Sequence, residues 1–358
     1  MSRAHNFSAG PAVLPLSVIE QLALALPEFG DTGLGLMELS HRSKAFDDVH
    51  RSAEARMRRV LGIPDDYAVL FLQGGASLQF LMTAMNLLAE GESADFVVTG
   101  TWARNALEEA QRVRAGRVAW TGESTRFDRL PTSVEVDPQA TYLAYTTNNT
   151  IYGTQFRRHP DSRGVPLVAD MSSDIASRPI DVSAHALIYA GAQKNLGPSG
   201  VTAVILSPWA QEKSPGGLNP MLDYRLQVAK RGLFNTPNTF GIYALERVLA
   251  WVEDLGGLEA VAARNQAKAD ALYGEIDRTG FYAGHAALAD RSMMNVTFRT
   301  PSAELDAKFV SEADEAGLKG LKGHRSVGGL RASIYNACPP ESVDALVGFM
   351  AEFERANG

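Results

Sequence analysis

The sequence predicts an α/β fold in two units of unequal size, a mainly parallel sheet with helices on both faces followed by a smaller α+β unit. Three observations predict it. Short apolar β-type runs alternate with helically spaced segments over residues 65–206, the pattern of a parallel sheet joined by crossovers. Gly-rich turns lead from some of these runs straight into helices. At 358 residues the chain is too long for one small core and suits two domains.

The elements follow in order. The first fifteen residues are turn-rich, with Gly10-Pro11 and Pro15, and read as an extended arm. Val18, Ile19, Leu22 and Leu26 have helical spacing from Pro15 to Ala25. Asp31 to Leu36 is a Gly-rich turn, and Ser43 to Leu61 is an amphipathic helix stopped by Gly62 and Pro64. Tyr67–Leu72 is a buried strand; Gly74-Gly-Ala-Ser77 then turns into the helix Leu78–Leu88. Asp95–Thr99 is the next strand, followed by Gly100-Thr-Trp102 and the helix Ala103–Val113. Tyr142–Thr146, Pro166–Asp170, Ala186–Ala190 and Val201–Leu206 continue the strand series. A long helix, Phe240–Leu255, ends at Gly256-Gly257, with Thr239 as its expected N-cap. Helical text resumes at Leu258–Thr279. Met293–Phe298, Ala303–Ala316, Leu330–Tyr335 and Ser342–Arg355 then make up the smaller unit. The expected division is an arm at 1–15, a large domain at 16–256 and a small domain at 257–358.

Composition narrows the function. A net charge of −7 and a pI near 5.6 argue against general nucleic-acid or anionic-membrane binding. One cysteine, Cys338, rules out an internal disulfide and fits a reducing compartment. No His/Asp/Glu spacing suggests a metal site. There is no signal-peptide core, no span-length apolar run and no serine-hydrolase elbow. A cytoplasmic protein is expected.

Lys194 lies in Ala190-Gly-Ala-Gln-Lys-Asn-Leu-Gly-Pro-Ser-Gly200, just after the apolar run Ala186–Ala190. Alone, a lysine on a Gly/Pro-rich turn is ordinarily solvated. Here its neighbours are small and uncharged, and the upstream run Val165–Ala169 ends in Asp170. An amine and a carboxylate at two strand ends are the protein groups a pyridoxal phosphate enzyme needs most. Gly74–Ser77 is either a tight βα turn or a phosphate cradle. Trp102 is either core or a stacking surface. Asn148–Thr154 is either turn chemistry or a donor loop through Thr150. His41-Arg42, His324-Arg325 and Arg331 are solvated loop cations or a phosphate-and-carboxylate clamp.

Taken together these segments resemble the phosphoserine aminotransferase family, pyridoxal phosphate enzymes of class V with the type I (aspartate-aminotransferase) fold. The resemblance runs over nearly the whole chain. It rests on Asn6-Phe-Ser-Ala-Gly-Pro-Ala12, Glu38-Leu-Ser-His-Arg-Ser43, Leu72-Gln-Gly-Gly-Ala-Ser-Leu-Gln-Phe80 and Asn148-Asn-Thr-Ile-Tyr-Gly-Thr-Gln155. Ala169-Asp-Met-Ser-Ser173, Gly191-Ala-Gln-Lys-Asn195, Phe234-Asn-Thr-Pro-Asn-Thr-Phe240 and Gly323-His-Arg-Ser-Val-Gly-Gly-Leu-Arg-Ala-Ser333 complete it. It implies a seven-stranded sheet and a homodimer with shared active sites. It also implies roles. Lys194 holds the cofactor through a Schiff base, Asp170 pairs with the ring nitrogen, Trp102 stacks on the ring and Thr150 bonds the phenolic oxygen. Ala76, Ser77 and Gln193 bind the cofactor phosphate, joined by Asn235 and Thr236 of the partner subunit. Arg331 holds the substrate α-carboxylate; His41, Arg42, His324 and Arg325 surround the substrate phosphate, the first pair donated across the dimer. Where some members carry an Arg, this chain has Ser77. The implied substrates are L-glutamate, 3-phosphohydroxypyruvate, O-phosphoserine and 2-oxoglutarate, with a phosphorylated 4-hydroxythreonine as a further candidate. The competing readings are a serine- or alanine-glyoxylate aminotransferase, a cysteine desulfurase and a non-catalytic phosphate binder. The desulfurase would use Cys338, which closes a strand and has no Lys or His beside it in sequence.

Overall fold

The computed structural model describes residues 3–358. The large unit is built on a seven-stranded sheet. Its strands, after a short N-terminal strand β1 (His5–Asn6), are β2 (Ala68–Leu72), β3 (Ser93–Val98), β4 (Ala115–Thr121), β5 (Leu143–Thr146), β6 (Leu167–Asp170), β7 (His185–Gly191) and β8 (Thr202–Leu206). The spatial order is β2-β8-β7-β6-β5-β3-β4. β8 runs antiparallel to both β2 and β7, and the remaining pairs are parallel. β5 to β8 are buried along their whole length because helices or loops cover both faces, so they read as continuous apolar runs.

The sequence reading missed β4. It is an edge strand, largely exposed, and Gly116 and Arg117 break any apolar pattern. Its Arg117 leans on the buried carboxylate of Asp95. Helix ends follow local chemistry. Ser43 caps Lys44–Leu61 by accepting from Phe46 N, and Gly62 at φ 64° ends it. The helix Thr239–Asp254 is capped not by Thr239 but by Asn238, whose side chain accepts from Gly241 N; Thr239 is the first helical residue.

Two apolar clusters sandwich the large sheet. One, with Phe46, Met57, Leu143, Ala169 and Leu249, lies on one face. The other, with Phe80, Met82, Tyr142, Val168 and Tyr224, lies on the opposite face. A third cluster belongs to the C-terminal unit. Its strands are β9 (Ala283–Gly284), β10 (Asn295–Arg299), β11 (Leu318–Lys319) and β12 (Leu330–Ser333). β10 is central, antiparallel to β9 and β12. The helices Gly257–Asp277, Ala303–Glu315 and Pro340–Asn357 pack Leu272, Phe309 and Phe353 on that sheet. The N-terminal strand β1 pairs in parallel with β11, and Phe7 and Val13 enter this third cluster. His5–Asn6 therefore lie on the C-terminal unit, and the chain then passes Gly10 over the Lys194 loop on the way to the large unit. No helix among the described residues is long and apolar enough to cross a membrane.

Candidate active site

Strands β2, β3, β5, β6 and β7 all point the same way, so their carboxyl ends share one edge of the sheet. In open α/β sheets that edge is where ligands bind. After β2 comes Gly74, at φ 88°, then the helix Gly75–Leu87, whose N-terminus has no side-chain cap. After β3 comes Gly100 and the helix Thr101–Val113, likewise uncapped. β5 opens into the Thr147–Gln155 loop, Asp170 is the last residue of β6, and Lys194 sits three residues beyond β7.

Lys194 is half-buried and its amine donates to the Thr150 hydroxyl at 2.7 Å. Burial lowers its pKa to about 8; the Asp170 carboxylate opposes the shift and the Arg331 guanidinium adds to it. Asp170 is 6% exposed, and its Oδ1 accepts from the Ser172 N–H at 2.9 Å and the Ser172 hydroxyl at 2.6 Å. Burial raises the pKa of this carboxyl, while the Ser172 hydrogen bonds and Lys194 pull the other way. Arg331 donates from Nη1 to the Thr150 carbonyl at 3.2 Å. Thr150 thus has a cation on its hydroxyl and another on its carbonyl. The loop is held by Asn149: its amide donates to the Thr99 carbonyl, and its Oδ1 accepts from Ile151 N at 3.1 Å and Tyr152 N at 3.2 Å. A Cβ on Gly100 would strike the Asn149 amide, so glycine is what lets the two strand ends meet.

The other predicted residues are placed as follows. Trp102, Ala76 and Leu78 pack on the cluster that includes Ile151, Tyr152 and Tyr189, beside the Thr150 loop. Gln193 carries its carbonyl to Ala12 N at 2.9 Å, and Ser77 is exposed on the first turn of the Gly75 helix. Asn235 donates to Gln73 Oε1 of its own chain at 2.8 Å, next to the Gly74 turn, and Thr236 is exposed. His324 is half-buried, shares a 2.7 Å hydrogen bond with Ser326 Oγ and has its pKa lowered by burial and by nearby Arg331. Arg325 is exposed beside it. Neither side chain of the remaining pair, His41-Arg42, makes a hydrogen bond or ion pair among the described residues; His41 is half-buried and Arg42 is exposed.

Sequence reading missed Ser172, Asn149 and Asn195, which position these groups. Asn195 Nδ2 donates to Ser173 O at 3.3 Å and its Oδ1 accepts from Asn336 N at 3.0 Å, tying the Lys194 loop to the C-terminal unit. The available signal was positional: each is a short polar residue one or two places from a strand-end functional group. Cys338 also differs from expectation. Lys268 does lie beside it, donating to its carbonyl at 3.2 Å, yet the thiol is fully buried and its pKa is pushed up to about 11. A buried, protonated thiol is inert, which removes the desulfurase reading. No group of three or more His, Cys, Asp or Glu side chains is placed to hold a metal among the described residues.

The residues present fit pyridoxal phosphate. The indole N–H of Trp102 and Nε of Arg331 are buried without a partner, each costing about 1–3 kcal/mol unless a bound group accepts. The free N–H groups at the start of the Gly75 helix suit a phosphate. A desolvated lysine and a buried carboxylate stand at the neighbouring strand ends.

The Aminotransferase class-V family matches residues 4–346. The chain is 53% identical to the phosphoserine aminotransferase of Geobacillus kaustophilus, over 99% of both chains. Its fold matches the phosphoserine aminotransferase from Bacillus circulans subsp. alkalophilus with a TM-score of 0.97, at 50% identity over 99% of each chain. It matches the pyridoxal-phosphate-bound enzyme of that name from Trichomonas vaginalis with a TM-score of 0.93, at 37% identity over 98% of this chain and all of the other. A lysine and an aspartate at neighbouring strand ends, an uncapped helix N-terminus and a family match along almost the full sequence make this chain a member of the class-V aminotransferases.

Proposed function

We propose that this protein is a phosphoserine aminotransferase, a cytoplasmic homodimer that transfers the amino group of L-glutamate to 3-phosphohydroxypyruvate, giving O-phosphoserine and 2-oxoglutarate, for serine biosynthesis. A phosphorylated 4-hydroxythreonine is a second candidate substrate, which would add a role in pyridoxine biosynthesis. The observation that carries the reading is the Lys194 amine, held on Thr150 with Asp170 behind it, in a chain about half identical over its full length to relatives of that name.

Bound pyridoxal phosphate supplies a carbonyl for the amino group to condense with and a protonated ring that accepts the electron pair leaving the substrate α-carbon. The protein residues do the rest. Lys194 holds the cofactor between turnovers. Its amine, with a pKa lowered to about 8, has a substantial neutral fraction near neutral pH and would move the proton from the substrate α-carbon. Asp170, fixed by Ser172, would keep a proton on the ring nitrogen. Trp102 would cover a ring face and Thr150 would bond the phenolic oxygen. The N–H groups of Ala76 and Ser77 would hold the cofactor phosphate with Gln193, and with Asn235 and Thr236 of a second copy. Arg331 presents its planar fork to the α-carboxylate. His324 and Arg325 meet the substrate phosphate, together with His41 and Arg42 of the second copy. The exposed apolar side chains Leu34, Met37 and Phe234, close in sequence to those donated residues, support the dimer. So does the lack of any side-chain hydrogen-bond or ion-pair partner for His41 and Arg42 among the described residues. These substrates carry two or more negative charges, so an acidic protein needs this local cluster of cations.

The test is a coupled assay with 2-oxoglutarate as acceptor, comparing O-phosphoserine with serine as amino donor. Turnover with phosphoserine at least a hundredfold faster supports the proposal. Equal turnover would assign the chain to another class-V activity.

A further inference from the structure

A concavity outside the candidate site lies where two crossovers lack their helices. Strand β5 connects to β6 through residues 147–166, and β6 to β7 through 171–184. Parallel strands are usually joined by a helix that covers the sheet. Among the described residues neither connection holds an α-helix; the only regular piece is the short turn Val182–Ala184. Between the two connections a cavity of about 430 Å³ is left open over the sheet. That is within the roughly 300–1,000 Å³ typical of small-ligand clefts.

Its walls are aromatic. Tyr145 meets Phe156 edge-on, with ring centroids 5.4 Å apart, and lies nearly parallel to the His185 ring at 6.0 Å. His159 closes on His185 at 5.9 Å. The Tyr145 hydroxyl is fixed on His185 Nε2 at 2.7 Å, so the inner wall is rigid. Burial holds the His185 pKa down near 4, which keeps that ring neutral.

The charges at the cavity are unevenly committed. Asp181 accepts from Ser183 N at 2.9 Å and Ser183 Oγ at 2.6 Å, and Asp161 accepts from Arg163 N at 3.0 Å. Asp174 accepts from Thr147 Oγ1 and, at 3.1 Å, from Gln155 Nε2, with Arg178 3.8 Å away. Arg157 and Arg158 face no carboxylate partner among the described residues. The one side-chain hydrogen bond of Arg157 goes to the Arg291 carbonyl at 2.8 Å. The Arg178 Nε, deeper in, is buried without a partner. Occupied carboxylates beside unpaired guanidiniums favour an anion, and the rings favour a planar apolar body.

We propose that this cavity is a second ligand site, distinct from the Lys194 site, which takes a small planar aromatic carboxylate. The ring sits against Tyr145, Phe156 and His159, and the carboxylate meets Arg157 and Arg158. Lys194, Thr150, Trp102 and Arg331 take no part in its lining. The segment from Asp170 to Arg178 is the wall between the two sites.

The experiment is isothermal titration calorimetry of the cofactor-loaded enzyme with indole-3-acetate, indole and acetate as probes, each with and without saturating O-phosphoserine. Saturable binding of one indole-3-acetate per chain, undiminished by O-phosphoserine, is expected. Indole and acetate should each bind at least tenfold more weakly. Arg158→Ala, whose side chain makes no hydrogen bond in the fold, and Arg157→Ala/Arg158→Ala should weaken indole-3-acetate at least tenfold while leaving transamination unchanged. No saturable heat, displacement by O-phosphoserine, or equal binding to the arginine variants would overturn the proposal. Because the readout is heat of binding, its failure leaves the transamination reading untouched.

Discussion

Lys194 is desolvated because of where its chain enters the fold. Gly10 crosses over it so closely that a Cβ there would lie 3.6 Å from the lysine Cγ, and this cover is part of what desolvates the amine. Desolvation lowers its pKa to about 8, and the charge of Asp170 limits the fall. In the cofactor-free chain, amine-selective acylation of Lys194 should therefore follow a titration centred near pH 8, well below that of surface lysines near 10.5. Asp170→Asn removes the opposing charge and should move that titration lower still; peptide mapping of the labelled lysine at several pH values checks both. Lys194→Arg should retain the fold and lose transamination by at least a thousandfold in a single-turnover assay, since a guanidinium gives up no proton in this range.

At the scale of elements, the turn after β2 has a conformation only glycine tolerates well. Gly74 lies at φ 88° and a Cβ there would run into the Leu78 side chain. Gly75 lies at φ 66° with open space around its missing Cβ. Gly74→Ala should thus combine left-handed strain with a clash and cost about 2–4 kcal/mol, whereas Gly75→Ala should cost only about 1 kcal/mol. Thermal unfolding of the two variants measures the difference. Gly74→Ala should also weaken cofactor affinity more than Gly75→Ala, because the shift falls on the helix start whose N–H groups are uncapped. Loss of absorbance at the cofactor's visible band on dilution reports that affinity.

Across the whole molecule, a buried polar seam joins the two units. Asn148 donates to Ser173 Oγ and Asn295 Oδ1 at 2.8 Å each, and Asn195 and Asn336 continue the line. Asn336 donates to Ala176 O and accepts from Asn265, both at 2.8 Å. Behind them Lys268, 2% exposed, donates to the carbonyls of Ile334, Tyr335 and Cys338 at 2.9, 2.6 and 3.2 Å. Its burial lowers its pKa from 10.5 to about 8, a difference of roughly 3 kcal/mol between its two protonation states. Between those values the unfolded chain binds the proton and the folded chain does not, so this group makes stability rise with pH from about 8 to 10.5 and leaves it level below 8. Lys268→Met should orphan the three carbonyls and cost about 2–4 kcal/mol at pH 7. It should also remove that alkaline rise, which urea unfolding of the cofactor-loaded enzyme at pH 7 and pH 10 resolves.

Much of this was legible in the linear sequence. Buried strands such as Leu167–Asp170 and His185–Gly191 show as apolar runs because both faces are covered, and Asp170 and Lys194 are conspicuous as polar residues at the ends of such runs. The edge strand Ala115–Thr121 was not legible, since one-sided exposure erases its pattern. Nor was the N-cap at Asn238, where two adjacent polar residues compete and only backbone geometry selects one. The sequence by itself determined the fold class, the lysine–aspartate pair and the stock of cations for an anionic substrate, because these depend on residue type and local order. Tertiary structure decided which of them meet. It set Thr150 between Lys194 and Arg331 and buried Cys338 beyond use. Those contacts span up to 181 residues, and hydrogen bonds and desolvation act over a few ångströms of space, for which sequence separation is no guide.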